Sequence, residues 1–167
     1  EMYSIFYNCS KLTSINLSNW NTIEATRMDS MFERCSQLKS LDLSSFSTSN
    51  VQNMRNMFYS CSQLTSLNLS NFIGTKVTNV VSMFSNSGLK YIDLSNFETP
   101  NLLEMRQMFS SCRELTSLNI AKLNTRKVTS FYQLFYGCTS LSYLDLSNFD
   151  TSNVINMESM FHNSGLK

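Results

Sequence analysis

The stretch Met57-Phe58-Tyr59-Ser60-Cys61-Ser62-Gln63-Leu64-Thr65-Ser66-Leu67-Asn68-Leu69-Ser70-Asn71-Phe72 decides the fold, because its landmarks return along the whole chain. Met31-Phe32, Met57-Phe58, Met83-Phe84, Met108-Phe109, Leu134-Phe135 and Met160-Phe161 follow one another every 26 residues, with one step of 25 between Phe84 and Phe109. Ile5-Phe6 precedes the series. Self-similarity at a fixed period of roughly 20 to 50 residues marks a solenoid, in which each coil covers the apolar face of its neighbour.

Dividing 167 residues by this period predicts about six coils in a single array over 1–167. Neither end carries the polar cap that keeps a solenoid soluble, so the array reads as a fragment of a longer protein.

Within a coil, two periodicities follow one another. Leu41-Asp42-Leu43 alternates at period 2, which predicts a short strand with the leucines inward and Asp42 outward. The counterparts are Ile15/Leu17, Leu67/Leu69, Ile92/Leu94, Leu118/Ile120 and Leu144/Leu146, and stacked in register they predict a parallel sheet. Val51, Met54, Met57 and Phe58 then fall as one stripe of a short helix would. Thr22, Thr48, Thr99, Thr125 and Thr151 share a column where a hydroxyl can cap a helix start, with Gly74 in coil three, and Pro100 sits where the first helical residue belongs. The expectation is therefore an α/β repeat: a leucine-rich-repeat solenoid with one short parallel strand and one short helix per coil of 25 to 26 residues.

The spacing Leu38-x-x-Leu41-x-Leu43 resembles the leucine-rich repeat, with Phe46 where many such repeats place an inward Asn. The longer string from Met57 to Phe72 resembles something narrower: the 26-residue surface-protein repeats of mycoplasma and Listeria lipoproteins, a branch of the BspA-like leucine-rich repeats also found in some protists. The resemblance implies a secreted or cell-surface, adhesion-type protein with varied ligands. Two segments depart from the pattern. Ser85-Asn86-Ser87-Gly88-Leu89 and His162-Asn163-Ser164-Gly165-Leu166 lack the Cys and are one residue shorter, and Gly88 and Gly165 suit a tighter turn with positive φ.

A net charge of +1 with interspersed signs leaves no electrostatic footprint for nucleic acid or an anionic membrane. No run of about 18 apolar residues exists that could span a bilayer. Catalysis also lacks its parts: His162 is the one histidine, and Asp42 and Asp93 stand about two coil spacings apart on an open face, with no cleft to bring them together. No cofactor is expected, and with no C-x-x-C pair a zinc site is not expected either.

Cys9, Cys35, Cys61, Cys112 and Cys138 form an inward column. Neighbouring coils bring their Cα atoms within disulfide range, yet the number is odd and buried thiols are common, which favours a packed thiol ladder. The methionine columns read as core.

The outward strand face offers the candidate ligand site: Ser40, Asp42 and Ser44; Ser66, Asn68 and Ser70; Tyr91, Asp93 and Ser95; Asn119; Tyr143 and Asp145. Tyrosines among short polar residues suit protein and sugar contact, since the ring gives area and the hydroxyl a bond at little entropic cost. Along the central column acid alternates with amide, which gives either a recognition strip or simply a spacing that keeps like charges apart. The function expected is a non-catalytic, surface-displayed adhesion or interaction scaffold presenting this face to a protein or glycan ligand. The alternative is a structural fibre, self-associating end to end through uncapped coils.

Overall fold

The computed structural model describes all of residues Glu1 to Lys167. Successive coils lie on top of one another. The rings of Phe6, Phe32, Phe58, Phe84, Phe109, Phe135 and Phe161 form one file, with neighbouring centroids 5.3 to 5.9 Å apart and planes within 13° of parallel. Each inner ring is sealed by the ring before and after it, and Met28, Met54 and Met105 with Met31, Met57, Met83 and Met108 pack beside the file with no surface left to solvent. The continuous core of 41 residues thus belongs to no single coil.

The expected helix in each coil does not form, and no α-helix occurs anywhere in the chain. An α-helix needs successive N–H groups to bond within their own segment. Here alternate N–H groups leave it: those of Met28, Ser30, Phe32 and Arg34 donate to the carbonyls of Asn53, Arg55, Met57 and Tyr59 in the next coil at 2.7 to 3.0 Å. The N–H groups between them close local turns, from Met31 to Met28, Glu33 to Ser30 and Cys35 to Phe32, at 3.1 to 3.3 Å.

Left-handed backbone at Ser30 (φ 56°) and Arg34 (φ 63°) breaks any right-handed continuity. The same pair of left-handed positions recurs in each coil, as at Asn56 and Ser60 or Ser82 and Asn86. A chain of β-turns puts inward corners about three residues apart, so it satisfies the same apolar spacing as a helical stripe. The ladder wins because it gives each segment bonds to two neighbours, whereas an isolated two-turn helix is marginal.

The threonines consequently cap nothing. Thr22, Thr48 and Thr125 are buried, and each uses its hydroxyl to fasten two coils by donating to the carbonyl and accepting from the N–H of one residue in the next coil, at 2.7 to 3.0 Å. Pro100 lies in the turn closed by the Leu102 N–H on the Thr99 carbonyl, at the position whose φ its ring presets.

The parallel sheet is also shorter than expected. Only β1 (Tyr91–Asp93) and β2 (Ser117–Asn119) form regular strands, paired Tyr91 to Ser117, Ile92 to Leu118 and Asp93 to Asn119. The other strand segments keep the inward-outward alternation in part without a backbone ladder; none joins Leu41–Leu43 to Leu67–Leu69. Bonds across the turn side, Thr and Asn side chains and core burial hold those coils instead.

Gly88 and Gly165 do not have positive φ; they are small because the preceding coil is close. A Cβ at Gly88 would stand 2.3 Å from the Ser62 carbonyl oxygen, and one at Gly165 2.3 Å from that of Thr139. The glycine N–H groups bond Cys61 and Cys138 carbonyls at 3.2 and 3.0 Å. Positive φ among the glycines belongs to Gly137 alone, in the left-handed column.

Candidate ligand-binding face

The central column of the strand face is built by local chemistry. In Asn16, Asp42, Asn68, Asp93, Asn119 and Asp145 the Oδ1 atom accepts the backbone N–H two residues on, at 2.9 to 3.3 Å, which ends the strand segment in an Asx turn. Asn and Asp offer the same acceptor there. The alternation of acid and amide is therefore compatible with one backbone. The Ser44, Ser95 and Ser147 N–H groups hold the Asp42, Asp93 and Asp145 carboxyls below the usual range, so all three are charged at neutral pH.

Where the strand segments lack a ladder, the face opens into a shallow groove of about 690 Å³ across four coils. Eight candidate residues line it: Ser40, Asp42, Ser66, Asn68, Ser70, Tyr91, Asp93 and Ser95. Ser44, Asn119, Tyr143 and Asp145 lie outside it; Tyr143, at 76 % exposed, stands on open surface two coils beyond Tyr91. Burial and the adjacent Asp93 carboxylate raise the Tyr91 hydroxyl, which keeps it a donor over the ordinary pH range. Sequence reasoning missed Lys90, Thr65 and Asn96 in the lining. The signal for Lys90 was its place immediately before the Tyr91 column, shared with Lys39.

The cysteines are free, and four of them are buried. Each inner thiol donates to the carbonyl of the Phe in the preceding coil: Cys35 to Phe6, Cys61 to Phe32, Cys112 to Phe84 and Cys138 to Phe109, at 3.0 to 3.2 Å. Burial pushes Cys35 and Cys112 up to about 11 and Cys138 to about 12, and Cys61 higher still. Such thiols are poor nucleophiles. No three His, Cys, Asp or Glu side chains converge as metal ligands, and His162 stacks on Tyr136 with centroids 5.4 Å apart.

Residues 1–91 and 87–166 match the model of a family described as "Mycoplasma protein of unknown function, DUF285". The chain belongs to the DUF285 family. Among solved structures, it is similar to a leucine-rich repeat protein from Bacteroides ovatus ATCC 8483, with a TM-score of 0.56 and 17% identity over 99% of this chain. The chain spans 44% of that structure's length. At that identity the likeness shows the fold alone, a leucine-rich-repeat-like solenoid, which this DUF285 chain builds with turns where a helix was expected. No curated protein matches the sequence.

Proposed function

We propose that this DUF285 segment is a non-catalytic binding scaffold of the cell surface, and that its strand-face groove takes an extended segment of a protein ligand. The observation that carries the reading is the groove itself: it crosses four coils and mixes Lys90 with Asp42 and Asp93 around a Tyr91 ring and a floor of Ser and Asn groups. Charges of both signs suit a polypeptide, which can carry acidic and basic side chains together, better than a neutral polymer. Tyr91 supplies a rigid anchor of the kind that dominates such contacts. The resemblance of the repeats to BspA-like surface proteins supports extracellular display.

The test is an array of matrix and host-surface proteins probed with the intact protein and with a Tyr91→Ser/Asp93→Asn variant. Ser and Asn occupy the same columns in other coils, so the variant keeps the backbone. Capture of an array protein that falls at least tenfold in the variant supports the reading; no capture, or capture indifferent to the change, ends it.

A further inference from the structure

The column one residue after the stacked phenylalanines lies on the turn side and reads Tyr7, Glu33, Tyr59, Ser85, Ser110, Tyr136, His162. Large side chains fill it except at Ser85 and Ser110. There, two consecutive layers are missing between Tyr59 and Tyr136. The adjacent Phe file gives the scale, with steps of 5.7, 5.9 and 5.5 Å from Phe58 through Phe84 and Phe109 to Phe135. The gap is a pocket of about 420 Å³ lined by Tyr59, Ser82, Ser85, Asn86, Gln107, Ser110, Ser111, Gln133 and Tyr136.

Three features of this slot point to a ligand. Ser82, Ser85 and Ser110 are only 7, 6 and 5 % exposed, yet their hydroxyls make no hydrogen bond within the protein and open onto the slot. Gln107 donates to Gln133 at 2.9 Å, which leaves the Gln107 carbonyl and the Gln133 amide free at the rim, and Asn86 spends its amide on Ser60 at 3.1 Å while its carbonyl stays free. Finally, every lining group is neutral. An apolar occupant would leave the serine hydroxyls unbonded, and a charged one would meet no counter-charge. A hydroxyl-rich ring with one flat C–H face answers all three, because serine can both donate and accept and tyrosine offers a platform for the face.

We propose that this slot binds a short neutral glycan of one or two pyranose rings, a ring face against Tyr59 or Tyr136 and its hydroxyls on Ser82, Ser85, Ser110, Asn86 and Gln107. The site is separate from the strand-face groove and does not depend on it.

The column itself supplies the decisive variant: Ser85→Tyr/Ser110→Tyr extends the aromatic row already present at Tyr59 and Tyr136 and fills the gap. Saturation-transfer NMR on the intact protein, with methyl glycosides of glucose, galactose, mannose and N-acetylglucosamine and with diacetylchitobiose, should give transfer for at least one sugar. The filled variant should lose that transfer at an unchanged melting temperature, and glucuronate should give none. Backbone shifts on titrating the wild-type protein provide an arm that needs no mutation: they should centre on Ser85, Ser110 and Tyr136. Absence of transfer from every sugar, shifts centred elsewhere, or a filled variant that binds as before overturns the site.

Discussion

The Thr48 hydroxyl donates to the carbonyl of Ile73 at 3.0 Å and accepts the N–H of the same residue at 2.7 Å, so that one side chain satisfies both backbone groups of a residue in the next coil. Thr48→Val keeps the shape and strands the part-buried N–H and carbonyl of Ile73. Each unsatisfied buried group costs about 1–3 kcal/mol, so urea unfolding should show a loss of about 2 kcal/mol or more. Thr151, exposed and without such a bond, is the control: Thr151→Val should leave the midpoint where it is.

That relationship also marks where sequence reading succeeds and where it stops. The 26-residue period and the inward columns were legible because burial imposes periodicity directly, and Phe32, Phe58 and Phe84 line up as their spacing requires. The outward positions of Asp42 and Asp93 followed from period 2. The helix did not survive because spacing reports which side chains are inward and says nothing about where each N–H goes. Most of the residues that decided it were small polar ones: Ser30, Asn56, Ser60 and Asn86 stand where left-handed backbone is needed, and Ser and Asn there read as surface filler. The neutral slot on the turn side was missed for a related reason: the period aligns Ser85 and Ser110 with Tyr59 and Tyr136 but says nothing of whether that column encloses space.

Left-handed backbone at Ser30 gives a test that separates turns from helix. Gly adopts φ 56° freely, whereas a β-branched residue is strained there by about 1–2 kcal/mol. Ser30→Gly should hold or raise the melting temperature and Ser30→Val should lower it. A helix would give a different order, with glycine the damaging change. The comparison needs only two thermal melts.

Gly88 is limited by contact, unlike Gly137, which is limited by conformation. A methyl group at Gly88 would meet the Ser62 carbonyl at 2.3 Å, and backbone cannot swing aside as a side chain does; at Gly137 the nearest atoms are 3.6 Å away and φ is +68°. Gly88→Ala should therefore cost more than about 3 kcal/mol, or prevent folding of the shortened coil, while Gly137→Ala costs about 1 kcal/mol. Equal effects in equilibrium unfolding would contradict this assignment.

At Asp42 the Asx turn asks only for an oxygen acceptor. Asp42→Asn should leave the melting temperature unchanged, as Asn16 and Asn68 do the same task in neighbouring coils. Asp42→Ala should lower it, because the Ser44 N–H loses its partner. Differential scanning calorimetry of the pair separates the turn from the charge, and any binding change seen in the Asn variant can then be assigned to the face rather than to the fold.

The thiol ladder sets the alkaline limit of the stack. In the fold Cys35 and Cys112 are raised to about 11 and Cys138 to about 12, because ionisation would put charge into the core. In the unfolded chain the same groups ionise near 8.5. The unfolded state therefore binds fewer protons than the native state between these values, and stability present below about pH 8.5 falls as pH rises toward the folded pKa values, by at most about 1.4 kcal/mol per thiol per pH unit. Urea unfolding followed from pH 7.5 to 10.5 under reducing conditions should show a midpoint that declines steeply in the upper part of this range. Cys112→Ser places a hydroxyl beside Ser87, 3.7 Å from the present sulfur, and removes one titrating group. Its decline should be shallower than the wild-type decline even where its starting stability is lower, and an equal slope would remove the buried thiols as the cause.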